Sequence, residues 1–324
     1  MLEQLTLGTE EDGFNASKTF TWFGQRVIQK TGSLNALRRL IPYFMRANFA
    51  LGAGNNSYLD QIIRQPLNHD ENPIPVATVS KHYVLVQHHD VLDAMEQALR
   101  AINLEPNSLR TELRISEYGE RMEFCFDVPN FTFNPGDGQN IILRIHCLNS
   151  VDKSTALELR LTWYRLICSN GMFTTDAKSK LRRIHLGSLD IREIADFLND
   201  QIKSIESSVE TFYGWNEVGL SVNKFEQWAD GKLAESWGTH LAARACHIAR
   251  RGWDGRIADP FEKEVPHKKR IVEEVEVPGT VAPISNAYHA YQILTWLASH
   301  RPTIQDQFIK AAEVPYLIGK LVSV

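Results

Sequence analysis

The chain has 324 residues, 43% of them hydrophobic and 23% charged, with a formal net charge of −4. That is enough sequence to bury a sizeable core, as one large domain or two modest ones. The charge balance excludes a globally basic nucleic-acid binder, so any such role must come from local clustering.

No apolar run reaches the roughly 18 residues of a membrane-spanning helix. The start, Met1 to Thr6, has no basic stretch followed by an apolar one, so no signal peptide is expected and the location expected is cytoplasmic. The four cysteines, Cys125, Cys147, Cys168 and Cys246, share no C-x-x-C spacing and are expected to be reduced.

Residues 1–33 read as an irregular arm carrying an aromatic island, Phe20-Thr21-Trp22-Phe23. Leu34, Leu37, Leu40 and Ile41 form a helical stripe over 34–50 that Pro42 breaks or kinks. Glycines and prolines make 52–75 a loop-rich connector, and Val79 to Gln87 reads as a short strand. Asp90 is the expected N-cap of a helix with Leu92, Met95, Leu99 and Ile102 on one face.

Four strand-like runs follow: Arg110–Glu117, Arg121–Val128, Asn140–Leu148 and Thr155–Cys168. Short turns such as Tyr118-Gly119-Glu120 make an antiparallel meander the simplest topology. Asn170-Gly171 is expected to end the last strand in a turn. Ile191, Ile194, Leu198, Ile202, Ile205, Val209 and Phe212 then recur at helical steps, a long helix expected to cover one sheet face. Helices are also expected over Val222–Ala229 behind Ser221, Gly238–Arg251, Ser285–Ser299 and Ile304–Val322, with a charged loop at 252–284. The expected class is α+β, an antiparallel meander covered by a long helix in a β-β-β-α-like core, with a helical C-terminal half. The expected divisions are 1–75, 76–214 and 215–324.

By strand alternation, Arg144 and His146 share a face, as do Arg160 and Tyr164. Behind them comes the densest basic run of the chain, Lys178 to His185, with Lys178, Lys180, Arg182 and Arg183. Cations beside an aromatic are what a single-strand groove needs, charges for phosphates and a π-face for bases. The alternative is a solvated, salt-bridged sheet face. Arg165 falls on the apolar reverse face beside Trp163 and Ile167, where it needs a buried carboxylate, backbone carbonyls or a phosphate.

His88-His89-Asp90 and His69-Asp70-Glu71 have no H-x-x-x-H or C-x-x-C spacing, so no metal is expected there. No P-loop, G-x-S-x-G or dinucleotide fingerprint occurs, which argues against an ATP-driven machine; no cofactor and no catalytic residue is expected. Asp127, Asp137 and Asp152 sit at strand ends as nuclease carboxylates do, without the spacing of a metal set. Trp215, Trp228, Trp237, Trp253 and Trp296 read as packing, or as an oligomer interface.

Val79-Ser80-Lys81-His82-Tyr83, Leu148-Asn149-Ser150, and Arg165 with Cys168, Asn170 and Gly171 resemble the signature of a family of phages and plasmids, domain of unknown function 932. The resemblance covers roughly 75–320 and includes the long helix and Trp237–Arg251. Members continue Leu-Asn-Ser with His-Asp-Gly, where this chain has Val151-Asp152-Lys153. The resemblance implies a mobile element, and Asn149, Arg165, Cys168, Asn170 and Gly171 as structural or ligand residues. A meander followed by a long helix is also similar to the core of Rad52-like single-strand annealing proteins, a likeness at the level of fold.

The leading expectation is an ATP-independent protein that binds single-stranded nucleic acid, DNA-annealing in kind, working as a homo-oligomer. Arg144, Arg160, Lys178, Lys180, Arg182 and Arg183 would neutralise phosphates and Tyr164 would stack a base. The alternatives are a protein-interaction or assembly module, and a metal-dependent nuclease.

Overall fold

The computed structural model describes residues 21–51, 54–135, 138, 140–165, 170–173, 180–183, 191–258 and 265–323. The side chains at 51, 164, 165, 170–173, 180, 183, 191 and 204–208 lie outside that description. The first half runs β1 (Thr21–Trp22), β2 (Gln25–Gly32), α1 (Leu34–Arg38), β3 (Phe44–Leu51), β4 (Gly54–Arg64), β5 (Ile74–Ser80), α2 (His88–Ala101), β6 (Arg110–Ser116), β7 (Arg121–Phe133) and β8 (Ile141–Ser150). The second half runs β9 (Leu157–Arg165), β10 (Asn170–Phe173), β11 (Lys180–Arg183), α3 (Ile191–Glu217), α4 (Val222–Trp228), α5 (Ala234–Trp237), α6 (Thr239–Arg251), β12 (Trp253–Ile257), β13 (Ile271–Glu276), α7 (Ala287–Ser299) and α8 (Ile304–Val322). The class is α+β, with antiparallel strand pairs and eight α-helices among the described residues.

The largest sheet has the order β1-β2-β6-β7-β8-β9-β10, with β11 also paired to β9. A second sheet is β3-β4-β5 and a third is the β12-β13 hairpin. The chain forms two compact units that interleave in sequence. One holds 1–129, 144–161 and 178–203; the other holds 130–143, 162–177 and 204–324.

Within the first unit, α1 ends after five residues and Pro42 lies in the link to β3, so the helical stripe stops where proline denies the next turn its N–H. Within the expected loop at 52–75, residues 54–64 form β4 and 74–75 open β5, while 65–73 are a loop as expected. The β4 strand is mostly exposed over its first half and alternates buried with half-buried only towards Arg64, so its polar residues hide the strand pattern. Phe44, Ile62, Val79, Tyr83 and Val151 form one buried cluster of this unit, and Tyr83 Oη donates to the Val151 carbonyl at 3.1 Å.

Helix α2 starts two residues before the expected cap. Its N-cap is Gln87, whose side chain instead holds both backbone groups of Phe44 at 3.0 and 2.7 Å, and Asp90 lies in the first turn. There a carboxylate favours the positive end of the helix dipole. At the β6–β7 hairpin Gly119 has φ +79°, and a Cβ there would meet Pro42 Cγ at 2.4 Å, so only glycine fits the turn.

In the second unit, Phe212 is fully buried among Phe133, Trp215, Tyr288 and Tyr291. Trp215, Trp228, Trp237 and Trp296 are all buried, as the packing reading expects, and Trp253 is 41% exposed. Helix α7 is buried along nearly its whole length and packs on α8. The expected loop at 252–284 contains β12 and β13, whose Asp254, Ile257 and Ile271 turn inward.

Asp254 accepts from Arg244 Nε at 2.7 Å and Nη2 at 2.5 Å and from Trp296 Nε1 at 2.8 Å. Burial opposes its charge, but the Arg244 bonds and charge outweigh that and hold it below the ordinary aspartate range. A carboxylate depressed in the folded state stabilises above its unfolded value of about 3.9 and loses that stabilisation as pH falls through the folded one. We expect Asp254→Asn to cost about 1.5 kcal/mol at neutral pH. The difference from the parent should shrink below about pH 4 in chemical denaturation followed across pH.

Candidate functional site

Strands β6 and β7 pair with Arg110 opposite Asp127, Glu112 opposite Cys125 and Arg114 opposite Glu123. Side chains two apart on a strand share a face, so this register collects charged groups on one side of the sheet. Arg144 and His146 of β8 join them. Arg144 makes a two-point contact with Asp127, Nε to Oδ1 at 2.6 Å and Nη2 to Oδ2 at 3.1 Å, and its Nη1 reaches Glu112 Oε2 at 3.1 Å. Arg114 donates from Nε to Glu112 Oε1 at 2.8 Å and from Nη1 to Glu123 Oε2 at 3.3 Å. His146 Nδ1 lies 2.7 Å from Glu123 Oε1 and 3.3 Å from Cys125 Sγ.

This face is not open. Glu123 is fully buried and Arg144 is 1% exposed. Ions so far from water persist only when paired, and here each carboxylate has a guanidinium partner. Burial opposes ionisation of Glu123, yet the Arg114 charge and the His146 bond win and hold it at about 2. Burial pushes the Cys125 thiol well up, with the charge of Glu123 adding to it, and burial lowers His146 despite its bond to Glu123.

The structure therefore corrects the expected role of Arg144: it is an internal counter-ion, not a phosphate contact. Arg160 is half-buried and ion-pairs with Glu158 of its own strand. Asp127 and Asp152 are likewise committed, the latter to Arg121 at 2.7 Å. The basic edge is different. Strand β11 lies antiparallel to β9 with Lys180 opposite Arg160, Arg182 opposite Glu158 and Arg183 opposite Leu157, and Arg182 is exposed. Lys178, Cys168 and Asp137, and the side chains of Tyr164, Arg165, Lys180 and Arg183, lie outside the described residues. Asn170 and Gly171 are not in a turn but open β10, opposite Arg165 and Tyr164.

Asn149 is fully buried; its Nδ2 donates to the Val86 carbonyl at 3.2 Å and to His88 Nδ1 at 2.9 Å. His88 Nε2 in turn bonds the Gly119 carbonyl at 2.9 Å, so both ring nitrogens hold the hairpin and the link into α2 together. His89 bonds the Ile41 carbonyl at 3.0 Å and stacks on Tyr43. Both histidines are structural.

A family model described as a domain of unknown function (DUF932) matches residues 75–295, well over half of the chain. The chain belongs to the DUF932 family. No curated protein and no solved structure matches it. The DUF932 segment contains the whole buried ionic network, β11 and Asn149.

Lys153 sits at φ +66°, a backbone region that favours glycine, where the resemblance has glycine. Val151, in place of the resemblance's histidine, is fully buried. We expect Lys153→Gly to raise stability by about 1 kcal/mol, read from denaturant midpoints at constant m-value.

Proposed function

We propose that this DUF932 protein binds single-stranded nucleic acid without ATP and anneals DNA for a phage- or plasmid-type mobile element, as a homo-oligomer. The observation that carries the reading is β11: a four-residue strand holding Lys180, Arg182 and Arg183, paired to β9, with Arg182 exposed to solvent. Basic residues on an outer strand give a positively charged edge that a single strand can follow. Tyr164 stands in β9 as the base-stacking residue of this reading, and Arg160 supports the edge through its pair with Glu158. The contact set is Lys178, Lys180, Arg182 and Arg183; Arg144 is not part of it.

The test is fluorescence anisotropy of the full chain with labelled single- and double-stranded DNA over a salt series, without nucleotide or metal. Salt-sensitive binding that prefers single strands supports the reading, and an annealing assay then follows. No binding at low salt sinks it. Among the described residues no helix is long and apolar enough to cross a membrane.

A further inference from the structure

We propose that Glu123, Cys125 and His146 form a zinc(II) site, a metal centre separate from the nucleic-acid reading. A carboxylate oxygen, a thiolate and an imidazole nitrogen are the donor types that zinc takes in proteins. Their donor atoms all lie within 4.8 Å of one another. The three separations are 2.7 Å for Oε1 to Nδ1, 3.3 Å for Sγ to Nδ1 and 3.7 Å for Sγ to Oε1. Zinc bonds of about 2.0–2.3 Å at tetrahedral angles give edges of about 3.3–3.6 Å. Two edges are already near that size, and the third opens by roughly half an ångström when the metal replaces a hydrogen bond.

The donors are also held in place. Glu123 and Cys125 are two apart on β7, so they face the same way, and His146 comes from β8, the neighbouring strand. Arg114 Nη1 binds Glu123 Oε2 at 3.3 Å, leaving Oε1 towards the other two donors. Such an outer partner orients a ligating carboxylate. Charge points the same way. The carboxylates Glu112, Glu123 and Asp127 face the guanidiniums Arg114 and Arg144, which over these residues leaves one negative charge in a dry place. On binding, zinc brings two positive charges, Cys125 releases one proton to solvent, and His146 stays neutral with its proton moved to Nε2. The set then sums to zero. Three protein ligands leave a fourth tetrahedral position.

The full chain is expressed in cobalt-supplemented medium, and a second batch with zinc. The cobalt protein is expected to show a thiolate-to-metal charge-transfer band in the near ultraviolet, with one metal per chain by mass spectrometry. Zinc-edge X-ray absorption of the unmodified chain is expected to count one sulfur ligand, a readout that needs no variant to fold. The band should vanish in Cys125→Ser and persist in Cys246→Ser. Absence of the band, a sulfur count other than one, or a band that survives Cys125→Ser overturns the proposal and leaves an ionic network only.

Discussion

Arg144→Met is expected to cost about 3–5 kcal/mol of folding stability, because it leaves ions buried without their partner. Asp127 would lose both of its contacts to that guanidinium and Glu112 one of its own. Methionine fills much of the arginine's volume, so the loss isolates charge rather than a cavity. Adding Asp127→Leu should return most of the stability, since removing both members of a buried pair is far milder than removing one. Denaturant unfolding of the two variants reads this directly. A destabilisation under about 1 kcal/mol in Arg144→Met would mean that this face is wet, and the network account would fail. Whatever its stability, soluble Arg144→Met should bind single strands with the parent's salt slope. A changed slope would return Arg144 to the phosphate contacts.

Reversing charge at Arg182 and Arg183 together to glutamate should weaken single-strand affinity by about 25-fold at 0.1 M salt, if each arginine neutralises one phosphate. The slope of log affinity against log salt should flatten by about 1.4 over the same series. Arg182 is exposed but lies opposite Glu158, so glutamate there sets like charges across the strand pair, and circular dichroism should confirm that the fold is kept. Unchanged affinity and slope would remove β11 as the contact surface. The pair would then separate sharply from Arg144, where a large stability effect goes with no change of slope.

The contrast between Arg144 and Arg182 also shows what local pattern carries. Alternation places Arg144 and His146 on one face, and their shared contacts to the β7 carboxylates agree. Alternation says nothing about whether that face is covered. The burial depends on carboxylates brought by β6 and β7, whose register is a long-range property. The E-x-C-x-D run of Glu123, Cys125 and Asp127 beside the R-x-E-x-R run of Arg110, Glu112 and Arg114 was a visible signal, since charges alternating in both strands of a hairpin must meet. The helices with clean periodicity, α3 and α6 to α8, could be read directly, as could β7, β8 and most of β9. Strands β4 and β5 could not, because a small, half-exposed sheet has no apolar stripe to reveal it.

The interleaving of the two units governs how the chain can be made. A ribosome delivers residues in order, at about 5–20 per second, and chains of sequential domains fold the first while the second is still emerging. Here the first unit needs residues as late as Lys203, although its opening segment ends at Pro129. The 74 residues from 130 to 203 take on the order of 4–15 s to appear. Strands β8 and β9 emerge within that interval, but the unit holding β6 and β7 is complete only at its end. Fragments ending near 129 are therefore expected to collect as aggregates rather than as a folded half.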